Sequence, residues 1–220
     1  MKEYYDLRAP TYDDWYLGRG RYADRDAAAW ERDLAGLVGV VGALPQVRTL
    51  DVACGTGFLT RHLRGEVVGL DQSANMLEIA REQAPAASFV QGDGLDLPFE
   101  DGGFDRVFTG HFYGHLDPAD RARFLTEARR VAHELVIVDA AVRPDHDVEE
   151  IQPRELPDGS VWPVLKRFFT PDGLAAELGG GETLYEGPWF VVVRSDVPGN
   201  VRQLPGPRSH GALPRPRPRP

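Results

Sequence analysis

Two hydrophobic periods alternate along the chain. From Tyr22 to Leu44, Ala27, Trp30, Leu34, Leu37, Val38 and Val41 recur near helical spacing, and Pro45 closes the run. A short apolar strand then ends in Asp51, and a glycine turn leads into a predicted short helix carrying Leu59, His62 and Leu63. Glu66–Asp71 is a second strand, and Ser73 is placed to cap a helix with Met76, Leu77 and Ala80 on its inner face. A third strand starts at Ser88 and is expected to reach Asp93; a fourth, Phe104–Gly110, stops beside His111. Asp117-Pro118 starts a helix with Phe124, Leu125, Ala128 and Val131 inward. The strand Glu134–Asp139 is too continuously apolar to have a wet face. Thr170-Pro171 begins the last helix, closed by Gly179-Gly180-Gly181, and two strands, Thr183–Glu186 and Trp189–Arg194, finish the pattern. Strands alternating with helices at this spacing predict an α/β fold with a mainly parallel sheet covered on both faces.

One stretch interrupts the alternation. Between Glu150 and Phe169, Asp158-Gly159 separates two apolar-containing runs and signals a hairpin. Loop length sets the faces. A two-residue turn groups Arg154 with Arg167, whereas an Asp158–Ser160 loop groups Arg154 with Lys166 and Trp162. Either way two cations could share a face of this insert, residues 143–169, unless they sit on a solvated edge, which Pro163 would suit.

Composition narrows the function. At 220 residues and 42% hydrophobic, the chain supports one core, so residues 1–197 are taken as one domain. Net charge is −9, but from Pro198 onward there are five arginines and no acid, leaving −14 on residues 1–197. So acidic a body argues against general binding to nucleic acid or anionic membrane. The Pro/Arg-alternating end, residues 198–220, reads as a disordered, solvated tail. A single cysteine, Cys54, excludes an internal disulfide, and no stretch approaches membrane-spanning length. A soluble, cytoplasmic protein acting on a small molecule fits; oligomeric state stays open. The six histidines are scattered, Asp145-His146-Asp147 reads as a polar loop, and no metal site is expected.

The chemistry concentrates at the strand ends. In Leu50-Asp-Val-Ala-Cys-Gly-Thr-Gly57, Gly55 and Gly57 allow positive φ and close approach of backbone to a ligand. Asp71, twenty positions after Asp51, ends the next strand where a carboxylate accepts from a ribose diol. Thr60 stands where a dinucleotide fingerprint wants its third glycine, which disfavours a nicotinamide enzyme. With the Asp93 and His111 blocks, residues 4–194 resemble the class I S-adenosylmethionine (SAM) methyltransferases, in the ubiquinone/menaquinone-type small-molecule branch. The insert resembles one in small-molecule O-methyltransferases that include a phosphonate-methylating branch.

The resemblance implies a Rossmann-like seven-stranded sheet with its last strand antiparallel, and SAM as cofactor. Asp51, with backbone around Ala53, Gly55, Thr56 and Gly57, would meet the methionine ammonium. Asp71 with Gln72 would take the ribose, Met76 the adenine face, and Asp93 and Gly94 the adenine edge. Residues 1–21 resemble a lid in which Tyr5 and Tyr12 close over the cofactor, Arg8 pairs with the methionine carboxylate and Tyr16 meets the acceptor; a flap packed on the sheet is the compatible alternative. His111 is the first candidate for contact with substrate or the methionine end, and His115 the second, as base, orienter or packing residue. Independently of the resemblance, the shared hairpin face in so acidic a body would let Arg154, Trp162 and Lys166 hold an anionic acceptor. The activity implied is methyl transfer to oxygen of a small metabolite, with a quinone-ring carbon, or a non-catalytic SAM-binding protein, as alternatives.

Overall fold

The computed structural model describes residues 1–23, 26–144 and 147–196. The expected tail, and most of the Asp145–Asp147 loop, lie outside them. β1 (Thr49–Val52), β2 (Val67–Asp71), β3 (Ser88–Gln91), β4 (Arg106–Gly110) and β5 (Glu134–Ala140) are the parallel strands. A closing hairpin of β8 (Glu182–Glu186) and β9 (Phe190–Asp196) completes a seven-stranded sheet of order β3-β2-β1-β4-β5-β9-β8, with β9 antiparallel to β5. The expected sheet is therefore present, its last strand reversed as anticipated. Chain order reverses between β1 and β4, which opens a crevice at the carboxyl ends of the strands.

Alternate residues of β5 serve different layers. Leu135 and Ile137 join a cluster with Phe124, Ala128 and Leu174, from helices α5 (Pro118–Val131) and α6 (Pro171–Glu177). Val136 and Val138 join Trp30, Leu37 and Val41 of α3 (Ala27–Ala43) on the other face. Burial on both sides explains the unbroken apolar run. Asp117 and Thr170 cap α5 and α6 as their sequences indicate, and Ser73 caps α4 (Ala74–Gln83) by accepting from the Met76 N–H at 3.2 Å.

Three boundaries differ from expectation. α3 begins at Ala27 rather than Tyr22, because Asp26 caps it from the Ala29 N–H at 3.0 Å; Tyr22 belongs to a preceding 3-10 turn, Gly20–Tyr22. After the glycine turn only one 3-10 turn forms, Thr60–His62, because β2 begins at Val67 and leaves no length for a longer helix. β3 ends at Gln91, so Asp93 sits beyond the strand, where its carboxylate accepts from the Leu95 N–H at 2.9 Å and builds a turn.

Outside the main sheet, β6 (Glu149–Glu155) and β7 (Val161–Arg167) form a separate antiparallel arm. Its loop is Pro157-Asp158-Gly159: Leu156 N–H donates to Ser160 O at 2.9 Å, and Gly159 has φ +82°. This loop starts one residue before either expected turn, yet pairs Arg154 with Trp162 and keeps Lys166 on their face. In the N-terminal segment, α1 (Lys2–Arg8) packs on this arm through a small core of Tyr4, Leu156 and Val164, while α2 (Asp14–Leu17) sends Tyr16 into the cluster on the α3 face of the main sheet.

Candidate functional site

Two cavities meet at the carboxyl edge of the sheet. The larger, about 460 Å³, is lined by Ala53, Gly55, Asp71, Gln72, Met76, Asp93 and Gly94. Asp71 is 7% exposed and fixed from both sides, accepting from the Gly55 N–H on one oxygen and the Ser73 N–H on the other, each at 2.9 Å. Burial pushes its carboxyl up, against those hydrogen bonds. Each oxygen keeps a lone-pair position for a ligand hydroxyl.

Two non-glycine residues here have left-handed backbone: Ala53 just past β1 (φ +56°) and His111 just past β4 (φ +57°). They follow the two strands on either side of the chain reversal and both line the larger cavity. Such conformations cost on the order of 1 kcal/mol each and cluster at functional sites. Gly55 (φ +54°) continues the turn, whereas Gly57 serves packing: a Cβ there would lie 3.2 Å from Ala80 Cα of α4. Gly57 does not itself line the cavity.

Beneath the glycine turn a narrow cleft holds Asp51, Thr56 and Tyr16. Asp51 is buried and accepts from Thr60 Oγ1 at 2.6 Å; burial raises its pKa to about 7. No cation is paired with it among the described residues, so the position suits a positively charged ligand group. Thr56 donates to Asp13 at 2.5 Å and so ties the turn to the N-terminal segment. Tyr16 stacks on Phe58, with centroids 3.9 Å apart, instead of facing the acceptor side. Cys54 lines the same cleft, and burial holds its thiol well above the ordinary value, so it stays protonated.

The smaller cavity, about 310 Å³, lies between the N-terminal segment and the β6–β7 arm. Tyr5, Tyr12, His111, His115 and Val164 line both cavities and form the wall between them. Both tyrosine hydroxyls are pushed up by burial and stay protonated. Behind the wall is Asp139, fully buried, which accepts from Gly114 N–H (2.7 Å), Ala140 N–H (2.8 Å) and Lys166 Nζ (2.8 Å). Burial raises the Asp139 carboxyl, but Lys166 brings it below its usual value. Burial and then Lys166 lower both His111 and His115 to about 3, so both rings are neutral. His115 Nδ1 lies 2.6 Å from Leu165 O. A carbonyl only accepts, so Nδ1 carries the proton and Nε2 holds the lone pair.

Sequence reasoning assembled the acids and histidines but misplaced several partners. Arg8 lines the smaller cavity and not the larger, so it does not face the nucleoside side; its guanidinium donates to the hydroxyls of Tyr4 and, at 3.3 Å, Tyr22. Arg154 and Lys166 line that cavity too, as the shared face requires. Trp162 does not: it packs on Tyr4, centroids 6.0 Å apart, and donates to Ser160 Oγ. Asp139 was missed because it ends an apolar core strand and only the arm supplies its lysine partner. Trp15, against His111 at 4.8 Å between centroids, was also missed.

Residues 50–135 match the family model described as a methyltransferase domain. The 2-phytyl-1,4-naphtoquinone methyltransferase of Trichormus variabilis is 37% identical over 147 residues, covering 60% of this chain and 59% of the relative. The chain thus spans three fifths of that relative's length. A solved DhpI–SAH complex superposes with a TM-score of 0.68 at 27% identity, covering 89% of this chain and 95% of that one. A DhpI–SAM–HEP complex gives 0.63 at 28% identity, covering 87% and 94%.

Proposed function

We propose that this chain, a class I SAM-dependent methyltransferase by its fold and its matched domain, transfers a methyl group to oxygen of a small hydroxylated or anionic metabolite. The observation that carries this reading is the shared wall: Asp71 at the end of β2 lines the cavity on one side together with Asp93, and cations line the other. The larger cavity fits SAM by its donor set. Asp71 and Gln72 would hold the ribose, Met76 the adenine face, and Asp93 and Gly94 the adenine edge, while Asp51, in the adjoining cleft, would meet the methionine ammonium. SAM supplies an electrophilic methyl on a sulfonium.

The chain's own contribution is alignment, exclusion of water and proton handling. Tyr5 and Tyr12 roof the junction and bring the two cavities into register. His115 presents its Nε2 lone pair there and takes the acceptor hydroxyl's proton. A neutral imidazole suffices, because an oxygen that has gained a methyl group is far more acidic than imidazolium. The Leu165 carbonyl fixes the tautomer, and Asp139 with Lys166 anchors the wall.

The naphthoquinone relative favours a second reading, methylation of a quinone-ring carbon. Incubation with methyl-labelled SAM separates the two. Hydroxylated aryl carboxylates should gain the label on oxygen, whereas label on the ring carbon of a reduced naphthoquinone would favour the second. Replacing His115 by Ala should lower the rate of O-methylation about 100-fold, while S-adenosylhomocysteine (SAH) still binds.

A further inference from the structure

Arg8 and Arg154 both line the smaller cavity, and neither pairs with a carboxylate among the described residues. That is unusual in a chain with 34 acids. Most other part-buried cations have an acid: Arg106 has Glu134, Arg121 has Glu149, Arg130 has Asp101 and Glu127, and Arg167 has Glu177. Lys166, in the same cavity, is already matched by Asp139 at 2.8 Å. Arg8 instead donates to two phenol hydroxyls and lies over the Tyr12 ring, 5.2 Å from its centroid. Arg154 donates to the neutral Gln152. Phenols and amides position a guanidinium without cancelling its charge.

Place matters as much as charge. The wall common to both cavities, where transfer would occur, is made of Tyr5, Tyr12, His111, His115 and Val164. Arg8 and Arg154 are not part of it. Trp15, Trp30, Trp189 and Phe168 line the smaller cavity and not the larger, giving it an aromatic lining. An oxyanion ion-paired to arginine is also a poor nucleophile, since the pair withdraws the electrons that would form the new bond.

We infer that Arg8 and Arg154 hold a planar aryl carboxylate by its anionic end, away from the transferred methyl, so that the carboxylate is a handle and a separate hydroxyl is methylated. This rests on reading the larger cavity as the SAM site. In the step itself, a hydroxyl lone pair forms the new O–C bond as the C–S bond breaks; its electrons stay on sulfur, and the hydroxyl proton goes to His115 Nε2. The carboxylate keeps its charge throughout.

The test uses the full chain saturated with SAH and follows tryptophan fluorescence on titration with benzoate, and with benzyl alcohol as neutral control. Benzoate should bind saturably and the alcohol at least tenfold more weakly. Arg8→Gln and Arg154→Gln should each weaken benzoate at least tenfold and leave SAH affinity within twofold, which also reports that each variant is folded. With methyl-labelled SAM in place of SAH, benzoate should remain unesterified, and 4-hydroxybenzoate should gain label only as the ether. Loss of SAH affinity in Arg8→Gln, with benzoate unaffected, would return Arg8 to the cofactor and overturn the inference. So would formation of methyl benzoate, or equal binding of acid and alcohol. Failure of wild type to bind SAH would instead remove the underlying methyltransferase reading, so the two failures are distinct.

Discussion

Asp51 concentrates the electrostatics of the site in one residue. Its carboxyl is held near pKa 7 by burial, against an ordinary value of 3.8, so in the ligand-free protein it is largely neutral below neutrality. An ammonium group placed there favours the ionised form. SAH affinity should therefore rise with pH up to about 7 and then level off, falling up to about tenfold per unit on the acid side. Folding responds with the opposite sign. A raised folded pKa contributes stability below the unfolded value, and that contribution is lost as pH climbs from about 4 through 7. Asp51→Asn should thus melt higher than wild type at pH 8, show no such advantage at pH 4, and bind SAH weakly without the pH dependence. Thermal melts and calorimetry at the two pH values check both halves. A wild-type affinity that is flat between pH 5 and 8 would remove Asp51 from the cofactor's cationic end.

At the scale of elements, the β8–β9 hairpin reaches the site through one buried carboxylate. Asp33 of α3, 4% exposed, accepts from Tyr185 OH at 2.6 Å and Trp189 N–H at 2.8 Å. Asp33→Ala leaves that N–H without its partner and should cost about 1–3 kcal/mol, read as a lowered Tm, with loss of the Trp189 wall in the smaller cavity. Equal melting temperatures would show that the hairpin is held by its apolar contacts alone. The elements also mark how far sequence carries. The strands that carry Asp51 and Asp71 near their carboxyl ends were legible, because an apolar run, an acid and a glycine turn are local signals. The single 3-10 turn after Gly57 was not, since the short path to Val67, not propensity, limits it. The arm's register was legible only as alternatives, because a one-residue change in loop length flips every side chain. Arg8 was assigned by resemblance and Trp162 by the hairpin's face pairing, and their true neighbours come from how α1 docks on the arm, which no local pattern encodes.

Over the whole molecule, the N-terminal segment is the element that joins both cavities, and two carboxylates latch it to the nucleoside side. Asp6 accepts from Ser73 Oγ at 2.5 Å, at the cap of α4; Asp13 accepts from Thr56 Oγ1 at 2.5 Å and Gln83 Nε2 at 2.6 Å. Removing both, Asp6→Ala with Asp13→Ala, should speed proteolysis within residues 1–22 and raise the SAH dissociation rate several-fold, with little change in global Tm. An unchanged dissociation rate would separate this segment from cofactor retention. Trp15, Tyr5 and Tyr12 would then serve only the acceptor.

The central claim is that the carboxyl edge of this sheet binds a SAM-type nucleoside through Asp71, and calorimetric titration with SAH, on wild type and on Asp71→Ala, tests it most directly. Saturable binding to wild type at one site per chain, weakened at least tenfold by the substitution, is the expected result. Folded wild-type protein that binds no SAH, or an Asp71→Ala variant that binds as tightly as wild type, would contradict it.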